Sequence, residues 1–456
     1  MRLTTVAQMA LPEGSLHSFA VRATPDPTRE LPVSFDQGRH VGRGDRAGSW
    51  MAVSFRFDQS PSLAALAGAW RAAIARHGTL RTVFSSDGPR VRLHEAAVDG
   101  GVWREHEVSP GETTRNALRA LVDAECRPFA APSYLLALVV PAASEPDPRP
   151  VVVLASDHAH VDMWSLLILA HEVRARIDGE TTDDDAEAAA VDPFPAAPFV
   201  EHTRTLAAMP EAPAEVIAHW EAILRAGGGA MPVFPLPLGD VSQSSPAVVD
   251  VRDVIDRDQL ARLEEHARAR GVRILPLVLS ELAKLFRDVA DVPLRAVFPV
   301  HSRNEPRWRD SVGWYITNAV LDIVDPTPAS CAAAVEEAVR LGAYPLAPIF
   351  DRIGSAKEPP GMFALSWLDM RRLPLGIDPS LEPQFVSAVL PTDNIMIWFI
   401  VNDDGLHLRC RYPDNAVARA TVGAWLDELT ARIAAAAHAG PEVPPRVPAR
   451  DPSRRG

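Results

Sequence analysis

Asp157, His158, His160 and Asp162 fall within six consecutive positions of the stretch VVVLASDHAHVDMWS, residues 151 to 165. Two chemistries fit these four side chains. An imidazole, with an unperturbed pKa of about 6.5, can take a proton from an alcohol or amine as that group attacks a carbonyl, and His158 is the candidate base. In an extended segment, however, His158, His160 and Asp162 point one way at period two and could ligate a metal ion. The preceding run, Val151 to Ala155, has the β-branched composition and the length of a buried strand. After the cluster, Trp164, Leu167, Ile168 and Leu169 have the spacing of a helix face that ends near Gly179. The cluster therefore belongs to a strand-to-helix turn.

The chain that must position this turn has 456 residues, 47% of them apolar, enough for one large core or two smaller ones. Acidic residues outnumber basic ones 59 to 46, for a formal charge of -13, and the Lys and Arg are scattered, which argues against a nucleic-acid partner. The three cysteines, Cys126, Cys331 and Cys410, are far apart and in no metal-ligand spacing, so a reducing cytoplasm is the expected location. The N-terminus lacks a signal-peptide core, and the longest apolar run, near residues 134 to 143, is about half a membrane span.

In chain order, LPVSFDQGRH opens into Gln37, Arg39 and His40. Met51 to Phe57 alternates as a strand, and Ser60-Pro61 supplies an N-cap and an N1 proline to a helix carrying Leu66, Ala67, Trp70 and Ala73 on one face. His77, in the last turn of that helix, is a candidate base by residue type, but its place favours a capping or helix-end histidine. Thr113 to Cys126 is a second helix, and Tyr134 to Val140 a strand that should pair with Val151 to Ala155. A first mixed α/β lobe thus covers residues 1–180, a linker 181–212, a second lobe 213–436 and a disordered Pro/Arg-rich tail 437–456. In the second lobe, helices 257–270, 275–289 and 416–433 alternate with strands 294–300, 311–323, 363–368 and 395–401. Gly313 marks a close backbone approach. The run Gly227 to Gly229 lacks a following Gly-Lys-Ser/Thr and reads as a helix stop.

Several stretches, in order, resemble the polyketide-associated (PapA-like) acyltransferases of the condensation-domain and chloramphenicol-acetyltransferase-like superfamily. They are LPVSFDQGRH, RHGTLRTVF, SDHAHVDMWS at the place of the His-His-x-x-x-Asp-Gly motif, MPVFPLPLGD, HSRN followed by SVGWYITN, FALSWLDMR, and WFIVNDDGLHLRCRYPDNAVA. The resemblance runs from about residue 31 to 433. It implies two chloramphenicol-acetyltransferase-like lobes, α/β with mixed sheets, forming a V-shaped pseudo-dimer around a central channel. It also implies that His158 is the catalytic base and that Asp162 pairs structurally with an Arg near HSRN, here Arg303. Asp157 replaces the motif's first His and Met163 its Gly, and Met163 is expected to project into the channel. His160 should orient the turn beside Trp164. Gln37, Trp314, Asn318, Ser366 and Trp398 fall on stretches near the expected channel.

The implied reaction moves an acyl group from a coenzyme A or carrier-protein phosphopantetheine thioester to a hydroxyl or amine of a small natural-product or lipid acceptor. No bound cofactor or metal is expected, and the protein should be a monomer. No Gly-x-Ser-x-Gly elbow occurs. Two alternatives remain. One is a condensation-like protein that docks a carrier without catalysis. The other is a metallohydrolase using His158, His160 and Asp162, although the metallo-β-lactamase-type signature would continue with a second His where Met163 stands.

Overall fold

The computed structural model describes residues 2–88, 90–181, 195–354 and 357–438. Much of the expected linker and nearly all of the expected tail lie outside these residues. The chain builds two mixed sheets, each backed by helices. The first sheet has eight strands in the order Arg2–Thr5, Gln384–Ser387, Trp50–Arg56, Val151–Asp157, Tyr134–Pro141, Gly14–Leu31, Arg90–His106 and Thr82–Asp87. The second has six, ordered Ile316–Ile323, Leu294–His301, Phe363–Asp369, Ile395–Asn402, Gly405–Pro413 and Ala247–Asp256.

Strand Val151–Asp157 is buried along its whole length, as its apolar run Val151 to Ala155 requires, because both faces of its sheet are covered. One face packs on helices Leu63–Arg76 and Met163–Thr181 through Leu66, Trp70, Leu154, Leu166 and Ile168. The other packs on helix Thr114–Glu125 through Leu118, Val122, Leu135 and Val153. The expected pairing of 134–140 with 151–155 is present, Leu136 facing Leu154. In the second lobe, helices Arg257–Ala269, Ile274–Ala290 and Ala416–His438 close a core containing Phe286, Phe363, Phe399 and Trp425. No helix among the described residues is long and apolar enough to cross a membrane.

The two halves are interlocked. Strand Gln384–Ser387, from the C-terminal half, inserts into the first sheet between Arg2–Thr5 and Trp50–Arg56, with Ser387 opposite Met51. Within the segment expected as a linker, helix Phe199–Ala207 sets Phe199 against Tyr315, with ring centroids 4.9 Å apart.

Some local expectations are corrected. The cap of helix Leu63–Arg76 is Ser62, whose Oγ accepts the Ala65 N–H at 3.0 Å, so Ser60 and Pro61 lie before the helix. LPVSFDQGRH contains the short helix Phe35–Val41, closed by a capping box in which Ser34 and Gln37 exchange hydrogen bonds. The strand expected over 311–323 begins only at Ile316. Backbone groups of Ser311, Gly313 and Tyr315 are engaged by side chains of the site described next instead of by a neighbouring strand.

Candidate active site

The motif turn is folded by Asp157. Its N–H donates to the Ser133 carbonyl at 2.8 Å, and its fully buried carboxylate accepts the Ala159 N–H at 2.8 Å, the Ser49 hydroxyl, and His40 Nε2 at 3.2 Å. Burial opposes the charge of this carboxylate, but these donors prevail and hold its pKa below the ordinary value. The next residue is thereby fixed. His158 donates its backbone N–H to the Ser49 carbonyl at 3.0 Å, and its ring stacks on Trp314 with centroids 4.1 Å apart at 17°.

His158 Nδ1 lies 2.8 Å from the Val161 carbonyl oxygen. A carbonyl only accepts, so Nδ1 must carry the hydrogen, and in the neutral ring Nε2 is left with its lone pair. Burial, and secondarily the nearby charge of His40, push the pKa of His158 down and keep the ring neutral near pH 7. The arrangement can therefore accept a proton at one defined atom.

Asp162 has a different environment. Arg303 grips both of its oxygens, Nη1 on Oδ2 and Nη2 on Oδ1 at 3.1 Å, with both side chains buried. Asp162 also accepts the N–H groups of Ser165 (2.7 Å) and Tyr315 (3.1 Å), so it caps helix Met163–Thr181 and ties in the second lobe at once. Arg303 Nη2 donates further to Ser165 Oγ at 2.9 Å and the Ser311 carbonyl at 3.0 Å, and its guanidinium lies 4.1 Å from the Tyr315 ring centroid. Despite burial, the guanidinium holds Asp162 ionised, with its pKa below the usual carboxylate value. The Gly313 N–H reaches Ser165 Oγ at 3.0 Å, and a Cβ on Gly313 would stand 2.5 Å from the Phe199 ring, which is the close approach the sequence suggests.

His160 points elsewhere. It is buried, with its ring 5.2 Å from that of Phe84 and Nδ1 3.5 Å from Thr82 Oγ1. Burial lowers its pKa. With His160 turned away and Asp162 saturated, the ligand set of the metallohydrolase reading does not assemble. No group of three His, Cys, Asp or Glu able to hold a metal occurs among the described residues.

The other expected residues divide between support and wall. Gln37 is buried and donates to the Ala159 carbonyl at 2.8 Å, bracing the turn. Trp164 sits edge-on to His301 at 6.0 Å and 5.2 Å from the Arg303 guanidinium. Met163 is half-buried and packs against the apolar core of the first lobe, which corrects the expectation that it projects into the channel. The apolar surface that the helix start offers is sufficient to draw it in. Asn318 is half-buried, with Nδ2 3.5 Å from Asp36 Oδ1, and burial raises the Asp36 pKa to about 6. Ser366 and Trp398 face each other in register on strands Phe363–Asp369 and Ile395–Asn402, both half-buried.

His40 is the principal residue that sequence reasoning passed over. It lies edge-on to Trp314 at 5.1 Å, 6.0 Å from the His158 ring, with Nδ1 3.1 Å from Arg46 Nη2. The available signal was its position three residues after Gln37, on the same face of a capped helix.

No family model matches the chain. It is 22% identical over 444 residues to acyltransferase PapA3 of Mycobacterium tuberculosis, a match spanning 92% of this chain and 91% of that protein. A nonribosomal peptide synthetase, NPS2 of Ceriporiopsis subvermispora, is 24% identical over 219 residues, 46% of this chain and 8% of that protein. Among solved structures, PapA2 acyl transferase superposes with a TM-score of 0.81 at 19% identity, covering 96% of this chain and all of that one. The first condensation domain of the calcium-dependent antibiotic synthetase gives 0.67 at 14% identity, over 91% of this chain and 98% of that one. The fold is the two-lobed mixed α/β architecture of PapA2 and of the condensation domain. The similarity to PapA3 spans nearly the whole of both chains and supports an acyltransferase.

Proposed function

We propose that the enzyme transfers an acyl group from a thioester, of coenzyme A or a carrier-protein phosphopantetheine, to a hydroxyl or amine of a small natural-product or lipid acceptor, with His158 as general base. The observation that carries this reading is the Val161 carbonyl on His158 Nδ1, which leaves the Nε2 lone pair for an incoming proton. As the acceptor oxygen or nitrogen attacks the thioester carbonyl carbon, its proton passes to Nε2. The tetrahedral intermediate then collapses with cleavage of the C–S bond, and the imidazolium returns the proton to the departing thiolate. Atoms and charge balance without a covalent acyl-enzyme.

Asp162 and Arg303 act on the position of the turn, and Trp314 supports the ring that takes the proton. Asp157 and His40 orient that ring from the other side. In this reading the lobes 1–180 and 213–436, joined through 181–212, admit donor and acceptor to the base from opposite faces. Gln37, Asn318, Ser366 and Trp398 stand around that path, and the protein works as a monomer.

The test is the intact mass of candidate acceptors after incubation with a panel of acyl-coenzyme A and acyl-carrier thioesters. The expected result is an acceptor heavier by one acyl group, formed by the wild-type protein and not by His158→Ala. Equal product from both proteins would remove His158 from the mechanism. A folded wild-type protein that transfers nothing from any thioester would favour the non-catalytic docking alternative.

A further inference from the structure

Arg409 and Arg411 are placed where arginines are costly. Strand Gly405–Pro413 alternates Leu406, Leu408, Cys410 and Tyr412 into the core of the second lobe, which turns Arg409 and Arg411 to the opposite face, toward the first sheet. There Arg409 is 4% exposed. Its guanidinium lies 4.8 Å from the Trp398 ring centroid and donates across the lobes to Ser387 Oγ at 2.8 Å, while its Nε has no partner among the described residues. Arg411, half-buried, lies 6.0 Å from the same ring, and its Nε is likewise buried without a partner.

Among the described residues neither guanidinium has a carboxylate at ion-pair distance, although Asp393 acts on Arg411 from further away, whereas other buried arginines are paired: Arg303 has Asp162, and Arg56 has Glu382 at 2.9 Å. An arginine keeps its charge at neutral pH, and an unpaired buried charge is expensive. Burial lowers the Arg409 pKa only to about 10, so it stays cationic. Arg43, itself paired with Glu358 at 3.0 Å, and the carboxylate of Asp393 act on Arg411 with opposite signs, while burial is the larger influence. In a chain of net charge -13, two buried guanidiniums thus lie side by side on one sheet face with no ion-pair partner among the described residues. Ser387, Met396 and Trp398 around them are half-buried.

We propose that Arg409 and Arg411, seated on Trp398 and Ser387, form a subsite for an oxyanion group, a phosphate, sulfate or carboxylate, carried by one of the two substrates. The planar guanidinium fork matches such oxygens, and its unused N–H groups are the donors they require. Sheet register gives its distance from the base. Ser387 is opposite Met51, and Met51 is opposite Ser156, two residues before His158. Two strand spacings of about 4.8 Å put the subsite on the order of 10 Å from the motif strand, suited to a charged group several bonds from the reacting atom. The assignment of the group to a substrate rests on the acyl-transfer reading, but its binding does not.

The test uses the full-chain protein. Thermal unfolding of wild type, Arg411→Gln and Arg409→Met/Arg411→Met is followed in phosphate, sulfate and chloride at matched ionic strength. A phosphate or sulfate shift in Tm that the double variant loses is expected, with Arg411→Gln retaining part of it. Calorimetry with coenzyme A, dephospho-coenzyme A and pantetheine then identifies the source. A coenzyme A affinity that drops about tenfold to a hundredfold in the double variant, with pantetheine binding unchanged, places the group on the donor. Unchanged coenzyme A binding, with a similar loss only for anionic acceptors relative to neutral ones, places it on the acceptor. If neither simple oxyanions, coenzyme A nor anionic acceptors distinguish the variants from wild type, the subsite is refuted. Arginine-dependent binding in a protein that turns over no thioester would overturn the transfer reading alone.

Discussion

The two ends of the motif turn hold charge in opposite ways. At Asp162 both carboxylate oxygens are engaged, shared among Arg303, Ser165 and Tyr315 out of contact with solvent, and of the Arg303 guanidinium Nε alone lacks a partner among the described residues. At His158, four residues earlier, one ring nitrogen is fixed and the other is left open. A closed network is costly to break and contributes geometry; an open lone pair contributes little to stability and can do chemistry. The two ionisable residues thus sit in opposite environments, one locked into a network and one with a free ring nitrogen.

The sharpest way to break this comparison is to remove the open end. His158→Ala is expected to lower transfer by about 10² to 10⁴ with unfolding unchanged within about 1 kcal/mol. His160→Ala, by contrast, should unfold more easily while losing much less activity per folded molecule. A reversed order of the two activity losses, measured at saturating donor, would move the base to the other histidine.

Removing the closed end should do the converse. Arg303→Ala leaves the buried Asp162 carboxylate without its partner, which is expected to cost about 3 to 5 kcal/mol in denaturant unfolding, and activity falls with it. In a double-mutant cycle with Asp162→Asn the losses should be strongly non-additive, since the residues touch. Additive losses would mean that the pair is not formed in solution.

A smaller effect is expected at His40, whose charge contributes to the low pKa of His158 after burial itself. The base is active when neutral, so kcat/KM falls as pH drops through its pKa, and a lowered pKa keeps activity below about pH 6.5. His40→Gln removes the repulsion, so the acid limb should move to higher pH by less than about one unit. An unmoved limb would separate His40 from the titration of the base.

The smallest change is at Met163. Because its side chain packs on the first-lobe core at a helix start, Met163→Gly should cost about 1 kcal/mol of stability and leave the acyl-chain-length profile as it was. A profile broadened toward longer thioesters would instead make Met163 a wall of the channel.

Much of the scaffold was legible because its signals are local. The β-branched run Val151 to Ala155, the amphipathic spacing of helices 114–125 and 257–269, and the Gly313 approach all follow from adjacent residues. The long strands Gly14–Leu31 and Arg90–His106 escaped because their outer stretches are exposed and polar, prolines included, so the alternation fades. Strand Gln384–Ser387 has four residues and gains its place only from partners more than 300 positions away. The pairing of Asp162 with Arg303 came from family likeness, while the spacing of His40 from Gln37 marks a shared helix face but does not announce a partner, Asp157, 117 positions away. Arg409 and Arg411 carry a readable alternation, but their missing carboxylates are visible only in three dimensions.

The central claim concerns one proton on one ring, and histidine ¹⁵N NMR observes it directly. In uniformly ¹⁵N-labelled protein, the resonances absent from His158→Ala belong to this ring. At pH 7 they should report the Nδ1–H tautomer with an unprotonated Nε2, and protonation should set in only below about pH 6.5. An Nε2–H tautomer, or an imidazolium at pH 7, would contradict the assignment of His158 as the base.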